Sequence, residues 1–169
     1  MFVRFKKSTM RILVVSDSHG RNENVKKAIE DAGEINALIH LGDVGSSYRE
    51  IESMARVPAY FVCGNTDYIP ELKDRLILMF GEHRIYAVHG HREGVSMGLS
   101  GLRYNALQNE CDIALFGHTH MPYLNENEDD VTILNPGSIS LPRQDDGKKT
   151  YAIIDIDDYE MVSYEFHSI

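Results

Sequence analysis

The chain has 169 residues, 43% of them hydrophobic and 25% charged, which suits one globular domain burying roughly two-thirds of its unfolded surface. A formal charge of −9 argues against broad nucleic-acid binding, which relies on Lys and Arg neutralising phosphates; divalent cations would still reverse the local field for a phosphate substrate. No apolar run approaches the roughly 20 residues that span a bilayer.

Residues 1–9 are basic but lack a long apolar core or a small-residue cleavage site, so they read as a short extension without a signal peptide. A cytoplasmic location, a domain over residues 10–169 and no membrane association are therefore expected. Ile12-Leu13-Val14-Val15 reads as a strand buried on both faces. Val25, Ala28, Ile29 and Ala32 have helical spacing and Gly33 is a stop signal. A second strand, Ala37-Leu38-Ile39, precedes a helix with a Ser47-x-x-Glu50 capping box and Ile51, Met54 and Ala55 on its inner face. The run at residues 59–62 completes a β-α-β-α-β opening.

Runs at residues 75–80 and 84–88 flank Gly81-Glu82 and predict a hairpin. Leu99, Leu102, Ala106 and Leu107 mark a third helix, followed by a strand at 113–116. Further strands are expected at 122–125, 131–134, 151–156 and 161–166, with acidic turns at 126–130 and 157–158. An α/β half followed by a more antiparallel half predicts two sheets packed face to face with helices outside. Cys63 and Cys111 fit no CxxC pattern and read as reduced, buried thiols.

The chemistry lies where strands end. Asp17-Ser18-His19, Gly42-Asp43, Gly64-Asn65, His89-Gly90-His91 and Gly117-His118-Thr119-His120 each follow an apolar run. Ends of parallel strands are favoured ligand sites. Asp17 with His19, and His118 with His120, are two residues apart and can face one side of an extended segment. The carboxylates, imidazoles and amide together suit divalent metals.

This ordered set resembles the signature of the calcineurin-like metallophosphoesterase superfamily, over nearly the whole chain from about Met10 to Phe166. The small size and Asn135-Pro-Gly-Ser-Ile-Ser-Leu-Pro-Arg143 make it look closest to the YfcE-type phosphodiesterase branch. The resemblance implies a four-layer α-β-β-α sandwich, with two mixed β-sheets flanked by helices. It implies that Asp17, His19, Asp43 and His120 hold one metal, and that Asp43, Asn65, His89 and His118 hold the other, with Asp43 bridging. Asp43, Asn65 and His89 are then the catalytic residues. Manganese is the first choice of metal, with iron, nickel or zinc as alternatives. The implied function is hydrolysis of a small phosphodiester by a bridging hydroxide at a dinuclear centre. A phosphomonoesterase or nucleotidase is the alternative enzyme, and a protein-binding scaffold of the same fold the non-enzymatic one.

One departure from the family pattern is Thr66, where many members have a histidine that can protonate the leaving oxygen. A hydroxyl is a poor general acid near pH 7, whereas histidine titrates near 6.5. His91 could serve as another acid, contact substrate or face solvent. His40 reads as a core histidine or as one orienting Asp43. His83 and His167 read as exposed and receive no role. Arg143 could bind substrate phosphate through its planar fork or be a plain surface residue. Oligomeric state is open, a homo-oligomer included.

Overall fold

Successive side chains of β1 (Met10–Val15) enter two different apolar environments. Ile12 and Val14 join Ile39, Ala87, Leu115 and Ile154 in one core; Leu13 and Val15 join Val25, Ala28, Leu38 and Ile51 in another. A strand with apolar groups on both faces must be covered on both faces. The computed structural model describes residues 9–45, 48–128 and 130–169. Ser47 of the expected capping box, and all but Thr9 of the expected extension, lie outside them.

After β1 come α1 (Asn22–Ala32), β2 (Ala37–His40), α2 (Tyr48–Ala55) and β3 (Ala59–Phe61). They are followed by β4 (Arg75–Phe80), β5 (His83–Val88), α3 (Ser100–Gln108) and β6 (Ile113–Leu115). The chain ends with β7 (Pro122–Glu128), β8 (Val131–Pro136), β9 (Thr150–Ile156) and β10 (Val162–Ser168). One sheet has the order β10-β9-β1-β2-β3, the other β4-β5-β6-β8-β7. In the first, β1, β2 and β3 run parallel while β9 and β10 are antiparallel additions. In the second, β5, β6 and β8 are parallel and the edge strands β4 and β7 antiparallel.

The two sheets share the core that contains Ile12, Val14, Ile85 and Leu115. Helices α1 and α2 cover the first sheet through Val25, Ala28, Ile51 and Ala55. Helix α3 covers the second through Leu102 and Ala106 against Tyr86, Ala114 and Ile133. This is the expected four-layer α-β-β-α sandwich with mixed sheets. The Gly81-Glu82 hairpin is also present, with Phe80 opposite His83.

Some boundaries differ from the sequence reading. Strand β7 runs past Asn125 to Glu128, through a shift in register with β8, so part of the expected acidic turn is strand. β8 extends to Pro136. His83 is not an exposed residue without a role: its ring lies against the Asp112 carboxylate and the Glu160 carbonyl. Burial opposes its protonation, but these two partners raise its pKa above the ordinary value. Together with Glu82 N donating to Glu160 Oε2 at 2.9 Å, it ties the β4–β5 turn to the β9–β10 turn across the two sheets. Cys111 is buried and Cys63 half-buried, both as free thiols. Among the described residues no helix is long and apolar enough to cross a membrane.

Leu115 is fully buried between the sheets, two residues before the segment that carries His118 and His120. Leu115→Ala should lower unfolding stability by about 2–5 kcal/mol, read from urea titration. A loss no larger than that of Met79→Ala on the exposed edge would contradict this account of the core.

Candidate metal centre

The parallel strands of both sheets deliver their C-terminal ends to one place. Asp17, Asp43 and Asn65 follow β1, β2 and β3; His89 and His118 follow β5 and β6. Backbone bonds bind these loops together: Asp17 N donates to Gly42 O at 3.1 Å, His19 N to Asp43 O at 2.8 Å and Gly117 N to His89 O at 3.0 Å. His118 N donates to Asp17 Oδ2 at 3.2 Å, which links the two sheets through a carboxylate.

The backbone is strained here. Asp17, His19, Asp43, His118 and His120 all have φ between 48° and 65°, five of the nine non-glycine residues with positive φ among those described. Each such residue carries an energetic penalty of order 1 kcal/mol or more, and such positions cluster at functional sites. Close approach adds a second constraint at Gly64, where a Cβ would collide with the Asp43 amide and Oδ1.

Asp17, His19, Asp43 and His120 each offer an atom within 4.8 Å of the others. His19 Nε2 is 3.6 Å from Asp43 Oδ2, and His120 Nε2 is 3.2 Å from Asp17 Oδ1. His120 Nδ1 donates to Leu141 O at 2.7 Å, so in the neutral ring Nε2 carries a lone pair turned toward Asp17. Asp17 Oδ1 and His19 Nε2 are buried and have no hydrogen-bond partner. Burial pushes the Asp17 carboxyl up, yet His120 and His89 hold it below the ordinary carboxylate value. Burial pushes His120 down, and Asp17 raises it above the ordinary imidazole value.

A second group surrounds His89. Its Nδ1 donates to Leu41 O at 2.7 Å, leaving the Nε2 lone pair of the neutral ring facing Asn65 Oδ1 at 3.0 Å and Asp43 Oδ1 at 3.6 Å. His118 Nδ1 also lies 3.0 Å from Asn65 Oδ1. Electron-rich atoms gathered without enough protons to separate them are stabilised by a cation, and oriented imidazoles with orphaned carboxylate oxygens fit a divalent ion. All seven sequence-predicted metal residues thus lie in one connected cluster. Burial, then the neighbouring His89, lowers the pKa of His118.

Other residues hold this arrangement without belonging to the predicted set. Asp67 accepts N–H bonds from Gly64, Val44 and Gly45 at 2.9, 3.2 and 3.0 Å, clamping the Asp43 loop to the Asn65 loop. Its place in Gly64-Asn65-Thr66-Asp67 was the available signal, since Asp commonly accepts turn amides. Ser138 Oγ donates to Asp17 O at 2.9 Å, and Asn135 Nδ2 to Gly117 O at 2.8 Å. The Asn135-Pro-Gly-Ser loop therefore borders the cluster.

His40 is a core histidine, and its hydrogen bond goes to Ser18 rather than to Asp43. It is fully buried, stacks on Phe61 and lies 2.9 Å from Ser18 Oγ. Ser18 donates to Val44 O, so His40 donates to Ser18 and steadies the Asp17–His19 turn. Burial pushes its pKa down to about 4, which keeps it neutral. His91 borders the second group, with its ring 5.4 Å from His89 and 6.2 Å from His118. Thr66 contributes its amide, which donates to Asp43 Oδ1 at 2.9 Å. His167 is exposed, as expected.

Comparison with known proteins agrees with this geometry. Residues 10–159 match the model of the calcineurin-like phosphoesterase superfamily domain. The probable metallophosphoesterase YsnB of Bacillus subtilis is 36% identical over 135 residues, 79% of this chain and 78% of that protein. Phosphodiesterase YfcE of Escherichia coli K12 is 23% identical over 184 residues, covering 95% of each chain. A crystal structure of a predicted phosphoesterase from Streptococcus pneumoniae TIGR4 superposes with a TM-score of 0.83 at 31% identity, over 95% of this chain and 90% of that one. With its two mixed sheets and its imidazole–carboxylate cluster at their meeting edge, the chain belongs to the calcineurin-like phosphoesterase superfamily.

Proposed function

We propose that this chain is a metal-dependent phosphodiesterase in which Asp17, His19, Asp43 and His120 hold one divalent cation and Asp43, Asn65, His89 and His118 hold a second. The observation that carries the reading is the position of Asp43. Its Oδ2 faces His19 and its Oδ1 faces His89, each at 3.6 Å. One carboxylate therefore addresses both donor groups, the disposition a bridging ligand needs.

When bound, two such cations supply Lewis acidity toward phosphoryl oxygens and lower the pKa of a shared water. The chain's own residues prepare the site for this. Leu41 O and Leu141 O fix the tautomers of His89 and His120 and aim their Nε2 lone pairs inward. Asp17 and Asp43 supply negative charge, while Asn65 adds an oxygen donor without further charge. Mixed nitrogen and oxygen donors suit manganese, iron, zinc or nickel, and manganese is preferred by family resemblance. A small phosphodiester is the proposed substrate, and a cytoplasmic location accords with this reading.

The decisive measurement is hydrolysis of an aryl phosphodiester after metal removal and return of manganese, beside the matching monoester. Manganese should restore turnover, and Asp43→Asn and His89→Ala should each lower kcat/KM by about 100-fold or more, a barrier increase of about 2.7 kcal/mol. Absence of metal-dependent turnover at any pH would sink the reading. Turnover insensitive to both substitutions would remove the assigned site, and faster monoester hydrolysis would favour a phosphomonoesterase.

Thr66 generates a separate expectation. Its side chain is exposed and its hydroxyl is a weak acid, so the rate should depend steeply on leaving-group acidity, with aryl diesters far ahead of alkyl ones. Thr66→His should flatten that slope across a series of substituted phenols. An equally shallow slope in the parent protein would mean that another group protonates the leaving oxygen.

A further inference from the structure

Two arginines lie at the rim of the metal cluster, Arg143 on the loop after β8 and Arg21 between β1 and α1, and neither has a carboxylate partner among the described residues. Arg21 follows His19 by two positions, and its Nη1 donates to Ser140 O at 3.2 Å. Arg143 N donates to His120 O at 3.2 Å, which places this residue directly beside a proposed ligand. Both side chains are exposed. Four other arginines of this acidic chain do have carboxylate partners: Arg11 with Asp155, Arg49 with Glu71, Arg84 with Glu110 and Arg92 with Asp74. In a chain with 26 acidic residues against 17 basic ones, this rim gathers two guanidinium groups without carboxylate partners beside the cluster.

The loop is also rigidly held. Ser138 Oγ accepts from Ser140 N and Leu141 N at 3.1 and 2.8 Å while donating to Asp17 O. Asn24 Nδ2 donates to Ile139 O at 3.0 Å and to Ser140 Oγ at 3.1 Å. His120 Nδ1 donates to Leu141 O. The segment leading to Arg143 is thus fixed to Asp17 and His120.

We propose that Arg143, with Arg21 beside it, is the receptor for the substrate's phosphate oxyanion, a specificity residue lying outside the metal ligands. The inference rests on the metal-dependent phosphodiesterase reading above. A guanidinium presents a planar fork that can take two phosphate oxygens at once, which an ammonium cannot. Held by the loop next to His120, it would orient the phosphate before reaction and offset its charge beside a cluster of carboxylates. The phosphate it receives is either the scissile one or a second anionic group on the same substrate.

The test uses the manganese-loaded full chain and calorimetric titration with inorganic phosphate, so that it has a readout independent of turnover. Arg143→Ala should weaken phosphate binding about tenfold, equivalent to about 1.4 kcal/mol, with manganese affinity unchanged. Arg143→Lys should recover part of that loss. Lys26→Ala, which removes an exposed charge paired with Glu30 on α1, should change nothing. Kinetics should agree: Arg143→Ala raises KM for an aryl diester more than it lowers kcat. A larger KM effect for an aryl diester that carries an extra phosphate identifies the second anionic group as the one received; an equal effect on both identifies the scissile phosphate.

Unchanged phosphate affinity and KM in Arg143→Ala, with manganese still bound, would overturn this proposal and leave the metal reading intact. Loss of manganese binding in Arg143→Ala would also overturn it, because the residue would then be supporting the ligands. Failure of the parent chain to bind manganese would overturn the metal reading and this proposal with it.

Discussion

Two carboxylates, Asp17 and Asp43, are buried where the strand ends of both sheets meet, and the surrounding structure is organised around holding them there. A buried carboxylate is tolerated only when hydrogen bonds or positive charge replace its lost water. Asp17 receives the His118 amide and the approach of His120; Asp43 receives the Thr66 amide and lies between His19 and His89. These contacts join groups from five separate loops. Moving either carboxylate would disturb both sheets at their shared edge.

That demand accounts for features that local preferences would not produce. Left-handed backbone at Asp17, Asp43 and His118 is unfavourable for these residues in isolation. It persists because the loops are over-determined by their neighbours: Asp67 clamps two of them, and Ser138 and Asn135 hold two others. Gly64 is required for a complementary reason, as any side chain there would occupy the space of Asp43. The strain is stored at proposed metal residues themselves, and the hydrogen bonds that sustain it come from residues around them.

Charge is distributed on two scales. The whole chain is acidic, and several of its arginines are matched with carboxylates. Around the cluster the pattern changes to imidazoles, inward-facing carboxylates and a rim with unpaired guanidinium groups. Bulk charge therefore predicts little about the ligand, because short-range fields near a cleft are set by the few groups that line it.

Much of this was legible in the amino-acid order. Short continuous apolar runs announced strands covered on both faces, and the five clusters, each placed after a run, announced a shared site, because strand ends and side-chain alternation are local properties. The Gly81-Glu82 hairpin and the three helices were readable for the same reason. What the sequence could not determine was decided by contacts between distant segments. Strand β9 returns to pair with β1, and β10 with β9, rather than extend the second sheet, a choice made by packing of whole faces. Asp67 acquires its role from amides about twenty residues away, His83 from the β9–β10 turn and His40 from Ser18. Residue types and spacing determined which chemistry this chain can hold. Only the tertiary structure decided that the two oxygens of Asp43 face different imidazoles, because that depends on two face-to-face sheets bringing their strand ends together rather than on any single stretch of chain.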